Sequence, residues 1–216
     1  MQMQVEFWSD VVCPWCYLGK RRLERTLDGF EHGSEVEVVY RSFELDPFAP
    51  EDRTTPTVEM LASKYGMTSQ QARDTQRQME QRAAGEGLTF HMADLRSGNT
   101  RDAHRLLQLA KARHLQLELV ERLHSAYFTE QASIFDHAEL ARLATDAGLA
   151  GAEAEKVLAG DEYDQDVDAD EAIARSLGIT GVPFYVVDRR YGISGAQPAE
   201  VIAQVLHRAW ADAHAR

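Results

Sequence analysis

Strand signals occur only at the two ends of this chain, and the long stretch between them reads as helix alone. Such a chain is one domain, or one domain carrying a large insertion, and this order narrows the fold more than any other feature. Residues 4–12 are rich in β-branched and aromatic types and read as a strand running into a loop. Cys16, Leu23, Leu27 and Phe30 then recur at helical spacing with Lys20, Arg21 and Arg25 off that stripe, so an amphipathic helix is expected over 14–30. Residues 35–45 alternate well enough for a second strand, which Asp46, Pro47 and Pro50 end.

From 57 to 178 the pattern calls for about six helices. Thr68 with Gln71 and Asp136 with Glu139 have the spacing of capping boxes, and Asn99 with Asp102 is a looser version. Leu106, Leu107, Ala110, Leu119, Leu123, Leu140 and Leu143 are expected in the core. After Gly178, residues 182–188 and 191–195 flank a short polar turn and predict a hairpin. A last helix over 198–212 starts on Pro198 and repeats Val201, Ile202, Val205, Leu206 and Ala209 on one face. The fold class is α/β, with residues 1–56 and 179–216 on either side of a helical block at 57–178.

A chain of 216 residues can bury a core without disulfide staples, so its two cysteines are not needed as scaffolding. The net charge of −12 argues against nucleic acid as a partner. The local cluster Lys20, Arg21, Arg22 and Arg25 reads as a solvated helix face. No apolar run approaches the roughly 20 residues of a bilayer span, and Met1-Gln-Met-Gln lacks the features of a signal peptide. A cytoplasmic location with no membrane partner is therefore expected. The acidic residues 161–171 lack the central glycine and final glutamate of a calcium loop and read as a helix start.

Both cysteines fall within V-V-C-P-W-C-Y-L, residues 11–18. With Cys13 at the helix start, Pro14 costs nothing, because the first helical residue has no intrahelical partner for its N–H. Amides and the positive helix end favour a thiolate at such a position, which predicts Cys13 as nucleophile. Cys16, one turn deeper and within disulfide reach, is expected to resolve the mixed disulfide, with no cofactor beyond the pair itself. Half of a zinc site is the other use of this spacing, but no second cysteine pair or suitably spaced histidine pair completes it, so no metal is expected. Pro183 cannot donate to a strand ladder and belongs at a strand's first residue. A cis Val182–Pro183 bond would leave the Val182 backbone to pair with an extended substrate. An ordinary trans proline is the alternative, favoured by base rates.

Four segments together carry a family resemblance: D-V-V-C-P-W-C-Y-L-G-K (10–20), R-S-F-E-L-D-P (41–47), N-T-R-D-A-H-R-L (99–106) and G-V-P-F-Y-V-V-D-R-R-Y-G-I-S-G-A-Q-P (181–198). The chain resembles the DsbA-like branch of the thioredoxin superfamily, and within it the cytoplasmic FrnE-type proteins. This implies a thioredoxin fold with a large inserted all-helical domain, and a cis Pro183. It also implies an acidic residue on the first strand beneath the active-site helix, for which Glu6 is the candidate proton acceptor of Cys16. Asn99 and His104 would lie on an insert helix facing the site, although Asn99 also suits a helix cap.

The function so predicted is a thiol-disulfide oxidoreductase acting on protein or small-molecule disulfides, as a monomer or homodimer, with glutathione as a substrate or electron donor. Trp15, Val182 and Phe43 are the candidate substrate contacts, with Pro14 and Pro183 supporting the site. A kappa-type glutathione-dependent transferase or isomerase is the alternative. Against it, the chain keeps both thiols and reads S-G-A-Q at 194–197, where those relatives carry a polar glutathione-gripping motif. The FrnE resemblance adds a link to polyketide pathways. A non-catalytic peptide-binding or holdase module using Trp15, Phe43 and Phe48 is the third reading.

Overall fold

The computed structural model describes residues 3–214. Its elements run β1 (Met3–Ser9), α1 (Pro14–Gly29), a 3₁₀ turn (Gly33–Glu35) and β2 (Val36–Ser42). Next come β3 (Thr55–Pro56), α2 (Thr57–Tyr65), α3 (Ser69–Gly85), β4 (Arg96–Ser97), α4 (Arg101–Ala112), α5 (Gln116–Phe128), α6 (His137–Asp146), α7 (Gly151–Ala159) and α8 (Asp164–Ser176). The chain closes with β5 (Phe184–Val187), β6 (Tyr191–Ser194) and α9 (Ala199–His214). Among the described residues no helix is long and apolar enough to cross a membrane.

Two compact units result. One joins the residues up to Leu45 with those from Ala169 onward, and the other is Asp46–Asp168. The division thus falls at 45/46 and 168/169, against sequence-based boundaries at 56/57 and 178/179. The later half of α8 joins the sheet unit because Asp170 and Ala174 are tied to the strands.

In the sheet unit the strand order is β2-β1-β5-β6. β1 runs parallel to β2 and antiparallel to β5, with Phe7 level with both Tyr40 and Tyr185. Side chains alternate across a strand, so Phe7, Tyr40 and Tyr185 share one face while Glu6, Trp8, Arg41 and Val186 share the other. The first face carries α1 and α9, which also pack on each other. On α9, Ile202, Leu206 and Ala209 are buried. On the opposite face Trp8 packs with Ala174, Ile179 and Val186, and its Nε1 donates to the Asp170 carbonyl at 3.0 Å.

The β5–β6 turn carries two non-glycine residues in the left-handed region, Asp188 (φ 47°) and Arg189 (φ 53°). Such residues cost about 1–2 kcal/mol each. They are held by side-chain bonds, since Asp188 accepts from the Gln4 amide at 2.9 Å and Arg189 donates to Glu6 at 3.1 Å.

In the helical unit, α3 opens on the complete Thr68–Gln71 capping box, and Asp136 accepts from the Glu139 amide at the start of α6. The N-cap of α4 is Thr100 rather than Asn99. The seven leucine and alanine positions expected in the core are all buried. Seven α-helices span the stretch where about six were expected, because Gly160 ends α7 before the acidic run opens α8. Arg105 reaches the carbonyls of Val157 and Gly160 at the end of α7 and that of Glu162 just beyond.

Candidate active site

β1 delivers the chain to a tight connection. The Cys13 amide donates to the Asp10 carbonyl at 3.1 Å, and the Asp10 carboxylate accepts from the Leu45 amide at 2.7 Å. Cys13 is the N-cap of α1 with extended backbone (φ −88°, ψ 111°), and Pro14 occupies the first turn. Both cysteines are free thiols, Cys13 4% and Cys16 0% exposed. The Cys13 thiol donates to the Val182 carbonyl at 3.8 Å, and the Val182–Pro183 bond is cis. The trans alternative is thereby set aside.

Burial pushes the Cys16 thiol well above the ordinary cysteine range, and the neighbouring Cys13 sulfur pushes it the same way. The Asp10 backbone and the Ser9 side chain act in the opposite direction. Beneath the helix lies Tyr185, 0% exposed and stacked on Phe7 at 4.4 Å. Its hydroxyl has no hydrogen-bond partner and presses on Gly19, where a Cβ would stand 2.2 Å from it. The Pro183 ring closes the same spot, 3.2 Å from that Cβ position. Burial, and then negative charge on Cys16, raise the Tyr185 pKa, while the Arg22 guanidinium acts in the opposite direction.

The structure thus brings together Cys13, Pro14, Cys16, Val182 and Pro183, with Trp15 39% exposed beside them in sequence. Within the same unit, Glu6 and Phe43 have other partners. Glu6 is not under Cys16: its carboxylate is held by Arg41 at 2.6 and 3.0 Å and by Arg189 at 3.1 Å, on the sheet face opposite α1. The residue that faces α1 at this level is Phe7, because alternation along β1 puts its odd positions on that side. Phe43 does not line an open groove but packs, with Val182 and Phe184, against the Trp8 cluster. Asn99 and His104 belong to the helical unit. There Asn99 donates to the Ala49 carbonyl at 3.0 Å and accepts from the Arg101 amide at 2.8 Å, and His104 is buried in α4. Phe48, also in that unit, is 93% exposed. Nor is the basic cluster on α1 a fully solvated face. Lys20 is buried and paired with Glu24, and Arg22 donates to the Ala196 carbonyl.

Sequence reasoning missed Ser9, Asp10, Gly19 and Tyr185. Gly19 did leave a signal, as a glycine inside an amphipathic helix, which costs about 1 kcal/mol without a packing reason. A separate cleft of about 480 Å³ on α6 and α7 is lined by His137, Arg142 and Glu155 among others. Its Arg142 is already paired with Glu139 and Asp146, and its His137 with Asp102.

A model of the DSBA-like thioredoxin domain matches residues 4–207. A crystal structure of a probable DsbA oxidoreductase from Streptomyces coelicolor superposes with TM-score 0.93 at 48% identity, covering 96% of this chain and 90% of that one. An uncharacterised protein of Bacillus subtilis is 28% identical over 209 residues, 95% of this chain and 96% of its own length. A 2-hydroxychromene-2-carboxylate isomerase shares the fold at TM-score 0.68 and 14% identity, with 97% of each chain covered.

Proposed function

The chain belongs to the DSBA-like thioredoxin domain family, and from that premise we propose that it is a thiol-disulfide oxidoreductase in which Cys13 attacks and Cys16 resolves. The observation that carries this is the asymmetry of the pair. Cys16 is fully buried with its pKa pushed up, so it rests as a thiol, whereas Cys13 stands at the helix start against the Val182 carbonyl. The Cys13 thiolate attacks one sulfur of a substrate disulfide, forming a Cys13–substrate bond and releasing the other sulfur as a thiolate. Deprotonated Cys16 then attacks the Cys13 sulfur. A Cys13–Cys16 disulfide forms, the bound substrate sulfur leaves with the electron pair and takes a proton from water, and the substrate is reduced by two electrons. Run backwards, the same steps oxidise a dithiol.

A kappa-type glutathione reaction is the second reading, supported by the shared fold of the isomerase. Against it stands the 194–197 segment, where Gln197 donates to the Ser194 carbonyl at 2.8 Å. Trapping with Cys16→Ser in cell lysate separates the readings, because removal of the resolving thiol leaves captured partners on Cys13. Protein adducts support disulfide exchange. Glutathione alone supports the second reading, and no adduct contradicts both.

A further inference from the structure

Two locally unfavourable residues meet inside the sheet unit. Gly19 lies in the interior of α1, where alanine is the more stable choice. Facing it, Tyr185 on β5 carries a buried hydroxyl with no hydrogen-bond partner, which is destabilising where phenylalanine would not be. The two fit each other. A Cβ built at Gly19 would overlap that hydroxyl, and would stand 3.2 and 3.5 Å from Cγ and Cβ of Pro183. The hydroxyl is thus a knob in the gap left by a missing side chain, and its ring is held by the stack on Phe7 at 4.4 Å.

Beyond this gap α1 is tied down. It packs on α9, and Arg22 donates to the Ala196 carbonyl at 2.5 Å. In the same loop the Gly195 amide donates to the Pro183 carbonyl at 2.8 Å, which holds the 182–183 segment. Before the gap, about 9 Å along the helix axis, Cys13 stands with its sulfur 3.8 Å from the Val182 carbonyl. Because the far end is tethered, added volume at Gly19 lifts the near end and moves Cys13 away from Val182. We propose that the Tyr185 hydroxyl, seated in the Gly19 gap, is a positioning pin that sets the approach of α1 to the 182–183 segment, and with it the place from which Cys13 attacks a peptide disulfide. The inference rests on the exchange chemistry proposed above and on pairing of the substrate with the Val182 backbone. In that step Cys13 bonds to one substrate sulfur, the substrate disulfide breaks, and the other sulfur leaves with the electron pair. Gly19 and Tyr185 touch none of these atoms and act only through the placement of Cys13.

The test exchanges knob and gap. Gly19→Ala, and Gly19→Ala combined with Tyr185→Phe, are made in a Cys16→Ser parent so that attack stops at the Cys13 adduct. Two rates are read: adduct formation with a disulfide-bonded model peptide, and alkylation of Cys13 by iodoacetamide, which needs only an open sulfur. In Gly19→Ala, peptide attack should slow about tenfold or more while alkylation is as fast or faster, because only the peptide must meet Cys13 and Val182 together. In the double variant the alanine methyl takes the space that the hydroxyl leaves, so both rates should return to within about threefold of the parent. Peptide attack at the parent rate in Gly19→Ala, a slow double variant, or parallel changes in both rates would overturn the pin while leaving disulfide exchange intact. Should Gly19→Ala fail to fold, the double variant decides: parent-like peptide attack upholds the pin, and slow attack or failure to fold overturns it. No peptide adduct in the Cys16→Ser parent would overturn the exchange chemistry and the pin with it.

Discussion

Complete burial sets Cys16 apart, and it leaves a signature in stability. An unfolded cysteine ionises near pH 8.5, whereas folded Cys16 holds its proton to higher pH because desolvation and the Cys13 sulfur both disfavour its charge. Below about pH 8.5 both states are protonated and the contribution to stability is intact. Above it the unfolded chain loses its proton first, so stability falls as pH rises toward the folded-state value. Urea unfolding of the reduced protein should therefore lose up to about 1.4 kcal/mol per pH unit from this group between roughly pH 8.5 and 10. Cys16→Ser should show a correspondingly shallower decline, with Cys13 common to both proteins.

At the scale of elements, Arg41 holds three pieces of the sheet unit together. From β2 its guanidinium reaches Glu6 on β1 at 2.6 Å and Asp170 on α8 at 2.9 Å, while the second Asp170 oxygen accepts from the Ser42 amide at 3.0 Å. Both carboxylates are buried, so removing the cation takes an ion-pair partner from each and leaves Glu6 to Arg189. Arg41→Ala should cost about 3–5 kcal/mol in urea unfolding. Arg41→Lys should recover only part of this, because an ammonium lacks the planar fork that serves both partners. This network also marks where the sequence stopped being readable. The hydrophobic periods of α1, α9 and the core helices were legible because a buried stripe repeats locally. The tie from Arg41 to Asp170 joins residues 129 apart and leaves no local trace. Glu6 was misplaced for a related reason: the family resemblance implied an acid under the helix, but the face of an individual residue follows from the register of β1 with β2 and β5. The cysteines, Pro14 and Pro183 were legible because each marks a backbone position, a helix start or a strand start. Tyr185 was not, since a tyrosine in an apolar strand is ordinary until the helix packed on it is known.

The whole molecule carries a net charge of −12, and its field acts on any partner that diffuses toward Cys13. At low salt a cationic disulfide peptide should react several-fold faster than an anionic one of equal length, and the gap should close near 0.5 M salt as the Debye length falls below about 5 Å. Stopped-flow rates for matched Lys-rich and Glu-rich peptides at two ionic strengths check this. The same fold also makes the two sulfurs unequal, one at the mouth of α1 and one sealed beneath it. Alkylation of the reduced, folded protein by one equivalent of iodoacetamide at neutral pH, followed by peptide mapping, tests that inequality most directly. Label on Cys13, with Cys16 modified only after unfolding, is the expected result; equal labelling of both cysteines in the folded state, or preferential labelling of Cys16, would contradict it.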